Sequence, residues 1–222
     1  MIATPPVRLP RLTEENRKAF FWPAAFFLYF AYTLTGSWPQ FAPFTPLSTA
    51  VDDWVPFLPW TVWIYMSHIV LLFSGWWFMV QSETGARAFW AVVICAALAG
   101  IWYFFMPNEL PRRTLAEIDA DGATRAMWAF LLSADNPTNC FPSLHVAMAS
   151  LAAIGLAAAG SFWRLAGPLW AMAIAATTLT TEQHVFVDVV GGILLAVFCL
   201  WVTHRFLAFG EPSSSPSRAV NG

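Results

Sequence analysis

His184 and Asp188 have the most suggestive spacing in the chain: four residues apart, they share one face of any helix that holds them. A carboxylate that takes the hydrogen of one imidazole nitrogen fixes the tautomer and makes the other nitrogen more basic. That arrangement suits a nucleophile or a base. A helix-stabilising ion pair is the plainer alternative, but idle ionisable groups are costly near a bilayer. His145 lies in Cys140-Phe141-Pro142-Ser143-Leu144-His145, where a loop becomes a helix. Pro142 suits the first helical position, and the unpaired N–H groups of such a start attract phosphate. Ser143 is there either a hydroxyl donor or a cap. Arg112, in Pro107-Asn108-Glu109-Leu110-Pro111-Arg112-Arg113, offers a planar fork for two phosphate oxygens. Taken alone, an arginine facing solvent or headgroups is its simpler reading. His68 falls inside an apolar run, where packing is the simpler role and substrate contact the other. His204 beside Arg205 reads as an interfacial anchor. Cys95, Cys140 and Cys199 form neither an even set nor a C-x-x-C pair, so no disulfide framework is implied.

The elements that must position these groups are set by composition. Apolar residues make up 58% of the 222 positions and charged residues 11%, against about 25% charged in a soluble domain. Thirteen Trp and twenty Phe cannot all be hidden inside 24.7 kDa; a bilayer is the solvent that accepts such a surface. The net charge of −2 offers no basic field for nucleic acid. Six apolar segments read as membrane-spanning helices: 20–34, 58–80, 88–106, 143–160, 165–181 and 185–207. The expected fold is therefore all-α, a polytopic bundle of six transmembrane helices. It divides into a cytoplasmic segment over 1–19, a six-span catalytic domain over 20–207 and a disordered cytoplasmic tail over 208–222. Two long connections remain, 35–57 and 107–142, and such connections tend to carry function. Arg8, Arg11, Arg17, Lys18, Arg87, Arg164, Arg205 and Arg218 fall on the side of the termini, against Arg112, Arg113 and Arg125 on the other. The positive-inside rule then places the termini in the cytoplasm. The ends of spans three and five and the starts of spans four and six meet at the opposite face. Arg112, Ser143, His145, His184 and Asp188 can converge there, whereas His68 is expected away from that face.

The order Arg, Pro-Ser-x-His, His-x-x-x-Asp on those span ends resembles the type 2 phosphatidic acid phosphatase superfamily. Pro142-Ser143-Leu144-His145 is similar to its Pro-Ser-Gly-His motif, with Leu144 in place of Gly. His184 and Asp188 match the end of its third motif. The chain departs from the pattern elsewhere: the expected Lys is Phe105, the Pro after Arg112 is Arg113, and the Ser-Arg pair is Thr177-Thr178. Asn139 to His145, Thr178 to His184 with Asp188-Val189 and Gly191, and Pro56 to Trp60 with Tyr65 resemble the inositolphosphotransferase branch related to inositol phosphorylceramide synthases.

The resemblance implies a membrane enzyme acting on a phospholipid-type phosphoester, without cofactor or metal. His184, made basic by Asp188, is the implied nucleophile of a phosphohistidine intermediate. His145 is the acid for the leaving lipid alcohol and then the base for the acceptor, which is a lipid alcohol or water. Arg112 and Ser143 are the implied phosphate-binding residues. The expected activity is phosphoinositol transfer to a lipid alcohol; hydrolysis of phosphatidate or a polyprenyl phosphate is the alternative. The expected setting is a bacterial inner membrane with the site facing outward. Haem ligation by paired histidines, an intramembrane serine protease built on Ser143, and a purely structural or transport role are weaker readings. The first would want histidines facing each other at matched depth, and the second a Gly-x-Ser-type element.

Overall fold

A computed structural model describes residues 7–209 apart from Pro39, Gln81 and Asn136. The elements run β1 (Val7–Leu9), α1 (Arg17–Ser37), α2 (Ala50–Trp54), α3 (Val62–Met66), α4 (His68–Phe78), α5 (Glu83–Phe105), α6 (Gly122–Ala134), α7 (Leu144–Leu156), α8 (Ser161–Thr180), α9 (Phe186–Phe206) and β2 (Leu207–Phe209). Short 3-10 turns at Pro59–Thr61 and Ala157–Ala159 extend α3 backward and α7 forward. The protein is thus mostly helical, as expected, with one departure. β1 and β2 pair in parallel, Val7 with Leu207 and Leu9 with Phe209, which puts the first two residues expected in the disordered tail, 208 and 209, into a strand. The rest of that tail, from 210 onward, lies outside the described residues.

Among the described residues, four helices are long and apolar enough to cross a membrane: Arg17–Ser37, Pro59–Phe78, Glu83–Phe105 and Phe186–Phe206. Their outward faces carry large apolar side chains, such as Phe26, Tyr29, Leu194 and Val197, each more than half exposed. The other two expected spans are helices of a different kind. α7 has 13 residues, about 20 Å at 1.5 Å per residue, short of the roughly 30 Å hydrocarbon layer. α8 is longer but less apolar, holding Arg164, Pro168 and a threonine-rich end. The long connection after α5 holds α6, a helix the hydrophobic runs did not reveal. Its Trp128 and Leu131 pack on Val62 and Tyr65 of α3, and the Trp128 indole donates to the Pro59 carbonyl at 2.8 Å.

α7 is the spine. Half of its ten buried positions are small (Ala147, Ala149, Ala152, Ala153, Gly155), so α4, α5, α8 and α9 all approach it closely. Glycines on the partners make this possible. A Cβ on Gly75 of α4 would sit 2.5 Å from the Ala152 carbonyl, and one on Gly192 of α9 would collide with the Ser143 carbonyl. The ends of the bundle differ in chemistry. At one end Arg87 pairs with Glu83 and donates to the Thr203 carbonyl, and Arg17 lies 3.8 Å over the Trp77 ring. At the other end the histidines gather.

The close approach of α9 to α7 yields a stability prediction. Gly192→Ala should destabilise the folded protein by about 1–3 kcal/mol, the cost of overpacking, and lower its thermal midpoint in detergent. Gly100→Ala, whose Cβ would meet only Ala31 Cβ at 3.4 Å, should leave it unchanged or raise it. Equal melting of the two variants would contradict this packing.

Candidate active site

Asp188 builds the site from the first turn of α9. Its carboxylate is fully buried. Oδ2 accepts from the Val185 backbone N–H at 3.0 Å, capping the helix. The same oxygen lies 3.3 Å from Nδ1 of His184. A carboxylate only accepts, so His184 Nδ1 carries the hydrogen and Nε2 keeps its lone pair. The turn before α9 is held from α8, because the Thr178 carbonyl accepts from the backbone N–H groups of both Gln183 and His184 at 3.1 Å. Glu182 takes a left-handed conformation there, φ 53°.

The start of α7 is tied to this turn. The Ser143 backbone N–H donates to the Asp188 carbonyl at 3.0 Å, and Ser143 Oγ accepts from Val146 N–H at 3.4 Å. Ser143 is therefore the helix cap, and α7 begins at Leu144. This corrects the expectation that Pro142 occupies the first helical position. The Pro142 carbonyl instead accepts from the Tyr103 hydroxyl at 2.6 Å. In the first turn of α7, His145 Nδ1 comes within 3.4 Å of His184 Nε2. The Tyr65 hydroxyl lies 3.1 Å from His145 Nε2. With His184 Nε2 unprotonated, these contacts form one directed chain: Tyr65 O–H to His145 Nε2, His145 Nδ1–H to His184 Nε2, His184 Nδ1–H to Asp188.

The structure thus brings His145, His184, Asp188 and Ser143 together. Arg112 stands beside them and does not touch them. Its Nη2 pairs with Asp135 Oδ2 at 3.1 Å and its Nη1 donates to the Asp135 carbonyl at 3.1 Å, with both side chains largely buried. The Tyr32 hydroxyl donates to the other oxygen of Asp135, and the Tyr32 ring lies 6.4 Å from that of His145. Burial disfavours the charge of Arg112, but Asp135 and the two tyrosine hydroxyls outweigh it and hold the guanidinium pKa above its ordinary value. An open cavity of about 410 Å³ has Arg112 and Asp135 in its wall. Neighbouring Arg113 is used for structure: it grips Glu182 with bonds of 2.6 and 2.9 Å and lies over Phe57. Burial pushes the Cys140 thiol up to about 12, so this cysteine is no nucleophile.

His68 is a correction. It was expected away from the convergent face, yet its ring centroid lies 4.6 Å from that of His145. Together with Tyr32 the two histidines close one end of an apolar cavity of about 280 Å³ between α1, α4 and α7. Tyr32, Tyr103 and Asp135 are neighbours of these residues that the sequence does not single out. A signal existed. The chain has four Tyr against twenty Phe and thirteen Trp, and a phenol inside a span needs a partner for its hydroxyl. Three of those four tyrosines (Tyr32, Tyr65 and Tyr103) meet here.

A family model described as the PAP2 superfamily matches residues 40–202. No curated protein and no solved structure matches the chain. The matched stretch takes in α2 to α9 almost entire, and with them Arg112, Ser143, His145, His184 and Asp188. The chain belongs to the PAP2 superfamily.

Proposed function

We propose that the protein is a membrane-embedded lipid phosphotransferase that passes a phosphoryl-bearing headgroup through His184, without a metal. Superfamily membership points to phosphatase or phosphotransferase chemistry on lipid phosphates. The single observation that carries the finer reading is His184, fixed by Asp188 on Nδ1 and facing His145 with Nε2. The substrate phosphate enters by parting the two imidazoles. His184 Nε2 then attacks phosphorus as the bond to the lipid oxygen breaks. His145, protonated on both ring nitrogens once the anionic phosphate is bound, gives its Nδ1 proton to that oxygen, which leaves as a lipid alcohol, and the ring is left neutral. In the second step an acceptor hydroxyl attacks phosphorus, its proton goes to His145, and the bond to His184 breaks. Arg112 Nε is buried with no partner among the described residues, which leaves it a donor for a phosphate oxygen. Ser143 contributes by setting the pitch of α7 that delivers His145.

Transfer to a lipid alcohol is favoured over hydrolysis by the apolar cavity that ends at His145. The resemblance of Asn139 to His145 and of Thr178 to His184 to inositolphosphotransferases adds phosphoinositol as the headgroup. With water as acceptor, the same residues would hydrolyse phosphatidate or a polyprenyl phosphate. A six-span topology is supported by the six helical segments, which alternate in direction between the charged end and the histidine end. The pairing of β1 with β2, which joins the two ends of the described chain, also favours an even number of crossings. The excess of basic residues on the side of the termini supports cytoplasmic termini and an outward-facing site, in the setting of a bacterial inner membrane.

Three outcomes are expected. With headgroup-labelled phosphatidylinositol and a lipid alcohol, His184→Ala and His145→Ala should each abolish product. Asp188→Asn should cut the rate by about 10⁴, as the analogous change does in a serine-protease triad. Full activity of His184→Ala would remove the nucleophile assignment. Turnover should survive EDTA; loss that Mg²⁺ restores would point to a metal-dependent phosphatase. In a background without native Cys, a cysteine at Glu117 should react with an impermeant thiol reagent in intact cells and one at Ser161 should not. The reverse pattern would invert the topology.

A further inference from the structure

We propose that the cavity between α1, α4 and α7 seats the acceptor, a long-chain lipid alcohol whose hydroxyl donates to Nε2 of His68. This rests on the transfer reading above and names the group that receives the phosphoryl unit.

The hydrogen bonding of His68 sets what the cavity can hold. His68 Nδ1 lies 2.8 Å from the Tyr65 carbonyl. A carbonyl only accepts, so Nδ1 carries the hydrogen and Nε2 of the neutral ring carries a lone pair. Nε2 has no hydrogen-bond partner among the described residues, although the ring lines the cavity. The opening therefore presents a fixed acceptor in an otherwise apolar wall. The phosphate and carboxylic ester groups of a phospholipid bring only acceptors to it, and an inositol polyol does not suit the apolar wall. An alcohol brings a donor. A departing alkoxide needs a proton, which His68 in this tautomer cannot supply through Nε2. An arriving hydroxyl needs an acceptor to hold it, and that is what His68 offers.

The remaining wall fits an alkyl chain. Leu28, Ile69, Leu72, Phe73 and Met148 line it, and Trp76 lies at its far end. From His68 to Trp76 the cavity follows α4 for about 12 Å at 1.5 Å per residue. Its volume, about 280 Å³, is roughly twice that of an apolar cavity known to take benzene. Tyr29, Ile69 and Phe73 in its wall are also exposed on the outer face of the bundle, so a chain can enter sideways from lipid.

His68 is then a positioning residue. The hydroxyl first donates to His68 Nε2. It turns its hydrogen to His145, whose ring lies 4.6 Å away, when the phosphoryl group is on His184. The alcohol oxygen bonds to phosphorus, the phosphorus–nitrogen bond breaks, and the proton stays on His145.

The test uses the full-length protein with 1-dodecanol carrying a photoreactive group at its chain end, and with the methyl ether of the same compound. The alcohol should label the peptides of α4 and α7. The ether should label about tenfold less, the effect of one lost buried hydrogen bond. His68→Ala should erase the difference between alcohol and ether, and His68→Gln, which restores an acceptor oxygen, should bring part of it back. Equal labelling by ether and alcohol in the unaltered protein would overturn the site. A second arm measures the ratio of dodecyl transfer product to hydrolysis product from headgroup-labelled phosphatidylinositol. His68→Ala should lower that ratio about tenfold, whereas a merely structural defect would lower both products together. An unchanged ratio, or no transfer product from protein that forms phosphohistidine, would overturn the acceptor role. Absence of phosphohistidine would instead strike the catalytic reading, and the labelling arm would still decide the site.

Discussion

One buried aspartate, through its side chain and its backbone, holds the histidine end together. Asp188 is fully enclosed, and each of its contacts fixes a different element. Its Oδ2 caps α9 through Val185 and sets the tautomer of His184. Its carbonyl anchors the Ser143 N–H at the start of α7. A charge taken out of water is tolerated only with such partners. Removing the charge but keeping the shape would leave His184 free to present the wrong nitrogen. Removing the side chain would release the start of α9 and the His184 ring together, while the backbone carbonyl would still hold the start of α7.

That knot requires α7 and α9 to run nearly in contact, which explains the composition of the bundle. Small residues on α7 and glycines facing it bring backbones together where lipid gives no hydrophobic drive between helices. The bulky aromatic residues are displaced outward, to α1 and the lipid-facing sides of α4 and α9. The resulting scaffold is rigid at its centre and apolar at its rim. It holds its polar groups at one end, where three histidine rings stand in sequence from Asp188 to the cavity mouth.

How much of this is legible in the sequence depends on the range of the interaction. The pairing of His184 with Asp188 is a property of one helix turn, so spacing alone reveals it. The convergence of His145 with His184 follows from counting spans. His68 was misplaced because its depth and rotation depend on how α4 packs on α7, through Gly75 against Ala152, and no local pattern encodes that. Asp135 belongs to no motif, and its pairing with Arg112 is made across 23 residues of connection. α6 escaped because it is short and amphipathic, packing Trp128 and Leu131 on α3 while exposing Phe130. The six apolar runs did become helices, yet α7 is short and α8 polar enough that only four have the length and apolarity of a membrane crossing.

The central claim is that His184 Nε2 carries the phosphoryl group. Rapid acid-free quenching of the protein with labelled lipid substrate, followed by peptide mass spectrometry, tests it directly. An acid-labile, base-stable phosphoramidate should appear on His184, disappear on adding the acceptor alcohol and form far more slowly in Asp188→Asn. Modification of His145 or of a serine instead, or turnover through no covalent species at all, would contradict it.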